Sequence, residues 1–300
     1  MRICILVPVW REYGWIAPIT KATIDQYWPS HPDLWFCGLK NHEGQGLPII
    51  PLGSHADRSN WSSVLLEGVR GIREKGYDAV YLIAEEHIPV ELCHEEHLNQ
   101  TLPRMFADLG ASYISLMGWD NRRFTSNSPL LGKDQHRFQH LVGPGDPRFH
   151  LHPALWSAET LEECCLIALR DKGKNGSAWH FEKACGRASG ELIQASKGCY
   201  QICAASLSLH HRTKTRMLLD WFERNAFHKL MAILPLIPDR KVARRVWDWA
   251  RFDDVFCDGP YPMFFSGIMA KGGLNRFFVS FLNRKNPSLL ATILRSMPPQ

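Results

Sequence analysis

The chain has 300 residues, 45% of them hydrophobic and 22% charged, with a formal net charge of +5. That length suits one large domain or two modest ones, and the apolar content is ordinary for a globular protein. The charge is unevenly spread: residues 1–210 hold 20 Lys and Arg against 23 Asp and Glu (net −3), and residues 211–300 hold 15 against 7 (net +8).

The nine cysteines include no CxxC pair, and only Cys164 and Cys165 are adjacent. This excludes a disulfide framework and a zinc knuckle, and reads as a reduced, cytoplasmic chain. The N-terminal apolar run, Ile3 to Val9 around Cys4, is too short for a signal peptide or a bilayer span. Eleven tryptophans are many. Burying a Trp leaves an indole N–H to satisfy, so some should line a pocket or an interface.

In chain order, residues 3–9 read as a buried first strand. Residues 14–28 place Ile16, Ile19, Ile24 and Trp28 at roughly helical spacing. The stretch YWPSHPDLWFCGL then holds a proline-marked turn and a second strand at 34–38. LPIIPLG, 47–53, is a third strand candidate. Residues 61–75 form an amphipathic helix, with Val64, Leu65, Val69 and Ile72 on one face and Arg73 and Lys75 in the last turn. Residues 78–83 are the next strand. This order predicts an α/β fold with a largely parallel sheet. Ligands in such sheets sit at the carboxyl ends of strands, so the loops VWREYG (9–14) and AEEH (84–87) matter most.

Beyond that, a helix over 91–108 has Leu92, Leu98, Leu102 and Phe106 as its stripe, and a strand follows at 111–119. Residues 120–148 are polar, without a period, and read as a long binding loop or lid. Structure resumes at 149–156, and a helix over 158–171 carries Glu159, Glu162 and Glu163 in its first turns. A GKNG turn precedes SAWHFEKACGR. From about residue 211 the character changes: an amphipathic helix over 215–234, a basic and aromatic segment RKVARRVWDWARF at 240–252, and an apolar stretch over 261–283. The shift predicts two zones, 1–210 and a helical 211–300.

Four groups carry chemistry. Glu85 and Glu86 end a strand where a ligand crevice opens. Adjacent carboxylates suit Mg²⁺ or Mn²⁺, and His87 beside them favours Mn²⁺. A solvent-exposed acidic turn is the alternative. In SAWHFE, Glu182 lies among Trp179 and Phe181, and partial desolvation would make it a stronger general base. A helix N-terminal acid is the alternative there. His150 and His152 share a face if extended, and with His180 they are pocket histidines sooner than zinc ligands. Arg240, Arg244, Arg245 and Arg251, near Trp247 and Trp249, suit a membrane interface or a solvated basic face. No nucleic-acid motif is present, so nucleic acid is not an expected partner.

In order, LVPVWREYGW, YWPSHPDLWFCG, NWSSVLLEGVRGIREKGYDAVYLIAEEH, HPALWSAETLEECC and SAWHFE resemble a bacterial family of GT-A-fold glycosyltransferases acting on lipopolysaccharide, capsule or related surface glycans. The blocks cover roughly residues 1–190. The resemblance implies a GT-A-like, Rossmann-like sheet flanked by helices in 1–210, with a C-terminal helical extension. It implies hexosyl transfer, by inversion, from a nucleotide-sugar donor to a hydroxyl of a glycan or lipid-linked acceptor in polysaccharide biosynthesis. Pro8, Val9, Trp10 and Arg11 match the nucleotide loop, and Arg58 and Trp61 open the helix beside it. Glu85 and Glu86 match the family's acidic motif, and Glu182 its catalytic base. His152, Trp156 and Trp179 fall on the acceptor side. Glu86 and His87 are the metal candidates for Mn²⁺ or Mg²⁺. The family's aspartates and following aromatic are replaced here by glutamates and His87, so a metal-independent site with Arg122, Arg123, Lys133 and Arg137 as substitutes is a second expectation. The basic tail would dock at the inner membrane face. The competing readings are another nucleotide-sugar enzyme and a non-catalytic carbohydrate- or membrane-binding protein on a transferase scaffold.

Overall fold

The computed structural model describes residues 1–39, 46–53, 56–116, 130–131, 138–140, 149, 151–171, 176–188, 198–202, 242, 256–257, 260–264, 267–270 and 273–298. An eight-stranded sheet is built from β1 (Ile3–Pro8), β2 (Leu34–Cys37), β3 (Ala79–Leu82), β4 (Tyr113–Ser115), β5 (Leu130–Leu131), β6 (Phe138–His140), β7 (Ala154–Ser157) and β8 (Cys199–Ile202). Its order is β2-β1-β3-β7-β4-β8-β6-β5. The pairs β1–β2, β1–β3 and β4–β8 are parallel, and the other four are antiparallel. Only β7 and β6 therefore run against the rest, which makes the sheet mostly parallel in direction, as the strand–helix alternation predicts.

The central strands are apolar on both faces because helices cover both. Cys4, Leu6, Val80, Leu82, Tyr113, Ala154 and Trp156 point into one core cluster. Ile5, Val7, Ala79, Tyr81, Ile114 and Leu155 point into the other. The first cluster is closed by α2 (Trp61–Glu74), α4 (Ala158–Arg170) and α5 (Ala178–Arg187), and the second by α1 (Ala17–Tyr27) and α3 (Leu102–Asp108). Helix α2 starts where the Asn60 side chain accepts from the Ser62 amide at 3.0 Å, and its apolar face follows the predicted stripe. Arg70 and Arg73 reach across to Glu162 of α4, a partly exposed tie that contributes little more than orientation.

Several elements differ from expectation for local reasons. Residues 47–53 add only a single bridge, Ile49 to Phe36, because Pro48 and Pro51 have no N–H to donate to a ladder. The helix expected from residue 91 starts at 95. The Cys93 amide donates to Tyr27 and the His94 amide to Pro260, which holds residues 92–94 out of helix and leaves Leu92 69% exposed instead of in the apolar stripe. Within the stretch read as one long loop, β5 and β6 pair with each other, and β6 pairs with β8. The expected helix at 215–234 and all of 240–252 except Val242 lie outside the described residues.

The end of the chain does not stand apart from the rest. Helices α6 (Arg276–Lys285) and α7 (Pro287–Ser296) bury Phe278, Phe281, Leu282, Leu289, Leu290 and Ile293 in a third cluster with Ile16, Ile19, Tyr27, Ile88 and Val90. The described residues of α6 and α7 thus pack against side chains from residues 16–27 and 88–90. Among the described residues no helix is long and apolar enough to cross a membrane.

Gly68 lies where α2 crosses β2, and a Cβ there would stand 2.5 Å from the Cys37 sulfur and 2.9 Å from its Cβ. Overpacking of about 1–3 kcal/mol outweighs the gain in helix propensity of roughly 1 kcal/mol, so Gly68→Ala should destabilise the fold. Urea unfolding should show a lower midpoint with an unchanged slope.

Candidate functional site

The parallel pairing of β1 and β3 brings their carboxyl ends together, and antiparallel β7 brings its amino end to the same edge. Because Leu82 pairs with Ala154, the chain leaving β3 and the chain entering β7 run side by side. After β3 the backbone turns, with the His87 amide donating to the Ala84 carbonyl at 2.9 Å. This turn carries Glu85, Glu86 and His87.

Glu85 points inward and is only 5% exposed. Its Oε1 accepts the Trp10 amide at 3.2 Å, and its carbonyl accepts the Thr20 hydroxyl at 2.9 Å. Glu86 is half-buried beside it. Burial, then the neighbouring Glu86 charge, pushes the Glu85 carboxyl up to about 8, and the Trp10 amide only partly counters this. Burial pushes Glu86 up to about 7. Water solvates a carboxylate better than this edge of the sheet does, so at neutral pH the pair carries less than its full charge. Tyr13, just after the β1 loop, has its phenol raised by burial first and then by the charges of Glu86, Glu12 and Glu85. Its ring therefore stands near the same pair.

The second acid is Glu182, in the second turn of α5. Ser177 caps that helix by accepting the His180 amide, which turns Phe181 into the core and leaves Glu182 at its edge. Glu182 Oε1 accepts the Leu151 amide at 2.8 Å. Burial raises this carboxyl, and the Leu151 amide partly offsets the rise. The next residue, His152, sets its ring 5.1 Å from that of His87, centroid to centroid. The two acidic motifs, 96 positions apart from Glu86 to Glu182, are thus linked through His87, His152 and Leu151.

The other predicted residues divide. Pro8 ends β1, and Val9 is buried with its amide donating to Cys37 at 2.8 Å. Trp10 contributes its backbone N–H to Glu85 and packs its half-buried ring on the first core cluster. Arg11 begins a short 3-10 turn, and its side chain lies outside the described residues. Arg58 is exposed in the turn before α2. Trp61 is corrected: it is 5% exposed and packs edge-on against Phe181 at 5.4 Å, so it anchors α2 to α5 instead of facing a nucleotide. Trp156 is corrected as well. It is fully buried between Tyr113 and Phe149, so it supports the sheet and cannot meet an acceptor. Alternation along β7 sends Trp156 and Ala154 to the same inner face. Trp179 is 73% exposed on α5, one turn before Glu182. Arg122, Arg123, Lys133, Arg137 and His150 lie outside the described residues. Among the described residues no group of three or more His, Cys, Asp or Glu gathers as a metal cage.

Residues that the sequence did not single out complete the site. Thr20 and Tyr13 come from the first turns after β1. Tyr261, Gly267 and Ile268 come from the far end of the chain: the Tyr261 hydroxyl donates to the His87 carbonyl at 2.9 Å, and the Ile268 amide donates to the Glu86 carbonyl at 3.0 Å. A Gly within the apolar 261–283 stretch was the one available signal.

No protein-family model matches the chain, and no curated protein matches it. Among solved structures, mannose-1-phosphate geranyltransferase from Thermus thermophilus is 12% identical, over 68% of this chain and 74% of that one, at a TM-score of 0.36. A197 from STIV is also 12% identical, over 68% of this chain and 82% of that one, at a TM-score of 0.28. Overlaps this loose carry nothing of either protein's chemistry across.

The raised carboxyls have a consequence for stability. Glu85 and Glu86 hold protons in the folded state that the unfolded chain, at the usual 4.5, has already released. Their stabilising share is complete below 4.5 and is lost as pH rises through about 7 and 8. Glu85→Gln keeps an acceptor for the Trp10 amide and removes one titration. Thermal melts across that window should fall with pH in the wild type and less steeply in Glu85→Gln.

Proposed function

We propose that the chain is a glycosyltransferase that moves a sugar from a nucleotide-sugar donor to a hydroxyl of a glycan or lipid-linked acceptor. One observation carries this reading. The Glu85–Glu86 turn at the carboxyl end of β3 is joined, through the His87–His152 ring contact and the Leu151 amide, to a second, separately positioned acid, Glu182. A donor-side acid pair and a separately held lone acid are what a direct displacement needs. The ordered sequence blocks resembling surface-glycan transferases support the same assignment.

In this mechanism Glu182 removes the proton from the acceptor hydroxyl as that oxygen attacks the anomeric carbon. The bond to the diphosphate breaks, and the configuration inverts. Burial favours this role, because a raised carboxyl is a stronger base while Leu151 keeps it oriented. Glu85 acts as a strut: it ties the β1 loop to the β3 turn so that Trp10 and Tyr13 stand beside Glu86. Trp179 offers an exposed ring beside Glu182, suited to the apolar face of an acceptor sugar.

The donor set fits a divalent cation of the Mg²⁺ or Mn²⁺ type, since such ions take one or two carboxylates and complete their shell with substrate phosphates and water. Glu86, with His87 next to it, would hold the ion, which when bound supplies positive charge against the leaving diphosphate. The +8 excess of residues 211–300 supports an acceptor presented at an anionic membrane surface.

The test is a panel of sugar nucleotides, with and without Mn²⁺, read by thermal shift and by release of nucleoside diphosphate. No shift and no release with any donor would sink the reading. Glu182→Gln should lower transfer by about 100-fold or more while donor affinity stays near wild type. Glu86→Ala should instead weaken donor binding.

A further inference from the structure

The outer side of Glu86 is covered by chain that arrives from the other end of the molecule. Residues 260–263 and 267–268 run alongside the acidic turn. The Val90 amide donates to the Pro262 carbonyl at 3.0 Å, Pro89 bridges to Met263, and the hydroxyl of Tyr261 and the amide of Ile268 hold the carbonyls of His87 and Glu86. These contacts fall on Glu86, His87, Pro89 and Val90, and the residue between them, Ile88, is buried in the third core cluster.

Gly267 makes the closest approach. Its φ is +68°, a conformation that L side chains rarely adopt. A Cβ there would lie 2.6 Å from Glu86 Oε2, 2.7 Å from its Cδ and 2.9 Å from its Cγ. The glycine thus meets the length of the side chain and not only its tip. A free glutamate would sample several rotamers; this one lies along a backbone surface that leaves room for it only because position 267 has no side chain.

We propose that residues 260–264 and 267–268 form one wall of the donor site, and that Gly267 is the positioning residue that sets where the Glu86 carboxylate stands. This rests on the donor-site reading of the Glu85–Glu86 turn. The C-terminal region is then part of the donor pocket, in addition to any role at a membrane. Helices α6 and α7 brace the wall from behind, since Ile268 and Met269 share the third cluster with Phe278, Phe281 and Leu289.

The experiment compares donor binding by calorimetry, and donor KM and kcat, in four proteins besides the wild type. Gly267→Ala should raise the donor Kd and KM about tenfold or more, as expected for losing a contact to a charged group, with a smaller effect on kcat because Glu182 is untouched. Gly46→Ala is the control for backbone strain: its φ is +80°, with nothing within 4 Å of the added carbon, so it should change stability without changing donor Kd. Glu86→Asp should weaken donor binding by itself. Gly267→Ala combined with Glu86→Asp should bind better than the two single losses predict, because the shorter carboxylate withdraws from the new methyl. Additive losses in the double variant, or wild-type donor Kd in Gly267→Ala, would overturn this inference while the donor site stands. A wild type that binds no sugar nucleotide would overturn the donor-site reading itself.

Discussion

The hydrogen bond from the Trp10 amide to the Glu85 carboxyl is the contact on which the rest of the site depends. It joins the loop after β1 to the turn after β3, the two places where adjacent parallel strands leave the core. A buried carboxyl without such a donor would cost about 1–3 kcal/mol, so the acid holds the two loops in register as firmly as the loops hold the acid. Thr20 closes the same junction from α1 by donating to the Glu85 carbonyl. With Glu85 fixed inward, its neighbour Glu86 is half-buried and lies against Gly267.

The sheet direction explains why a second acid reaches the same place. Had β7 been parallel to β3, the chain around Leu151 and His152 would lie at the opposite edge of the sheet. Because β7 is antiparallel, its entry meets the exit of β3. Helix α5 then sets Glu182 on the Leu151 amide. The desolvation that raises both acidic motifs has one origin: each sits at the rim of a two-sided core, on ground that the flanking helices keep largely dry.

Much of the fold was legible locally. The runs at 3–9, 34–38 and 78–83 are apolar nearly throughout because those strands are covered on both faces. The 61–75 stripe is a helix because its period and its Asn60 cap agree. The errors came where distant chain decides. Residues 92–94 stay out of helix because the carbonyls of Tyr27 and Pro260 accept the amides of Cys93 and His94, and nothing within that window announces it. Trp61 and Trp156 look like ligand platforms in sequence, since each sits beside a candidate motif. Their rings turn inward because α2 needs an anchor on α5 and the inner face of β7 needs bulk.

The sequence by itself determined the existence of the strands, the acids that end them and the charge contrast between 1–210 and 211–300, all of which follow from neighbours along the chain. Only the tertiary structure decided that Glu85 is a buried strut with Glu86 half-buried beside it, and that Glu182 is tied to the Leu151 amide at the entry to β7. It also decided that Tyr261, Gly267 and Ile268, from the far end of the chain, complete the acidic turn. The physical reason is that burial and hydrogen-bond pairing are properties of what is near in space. The backbone groups of the 84–90 turn had to find partners, and the partners that could reach them were at the other end of the chain.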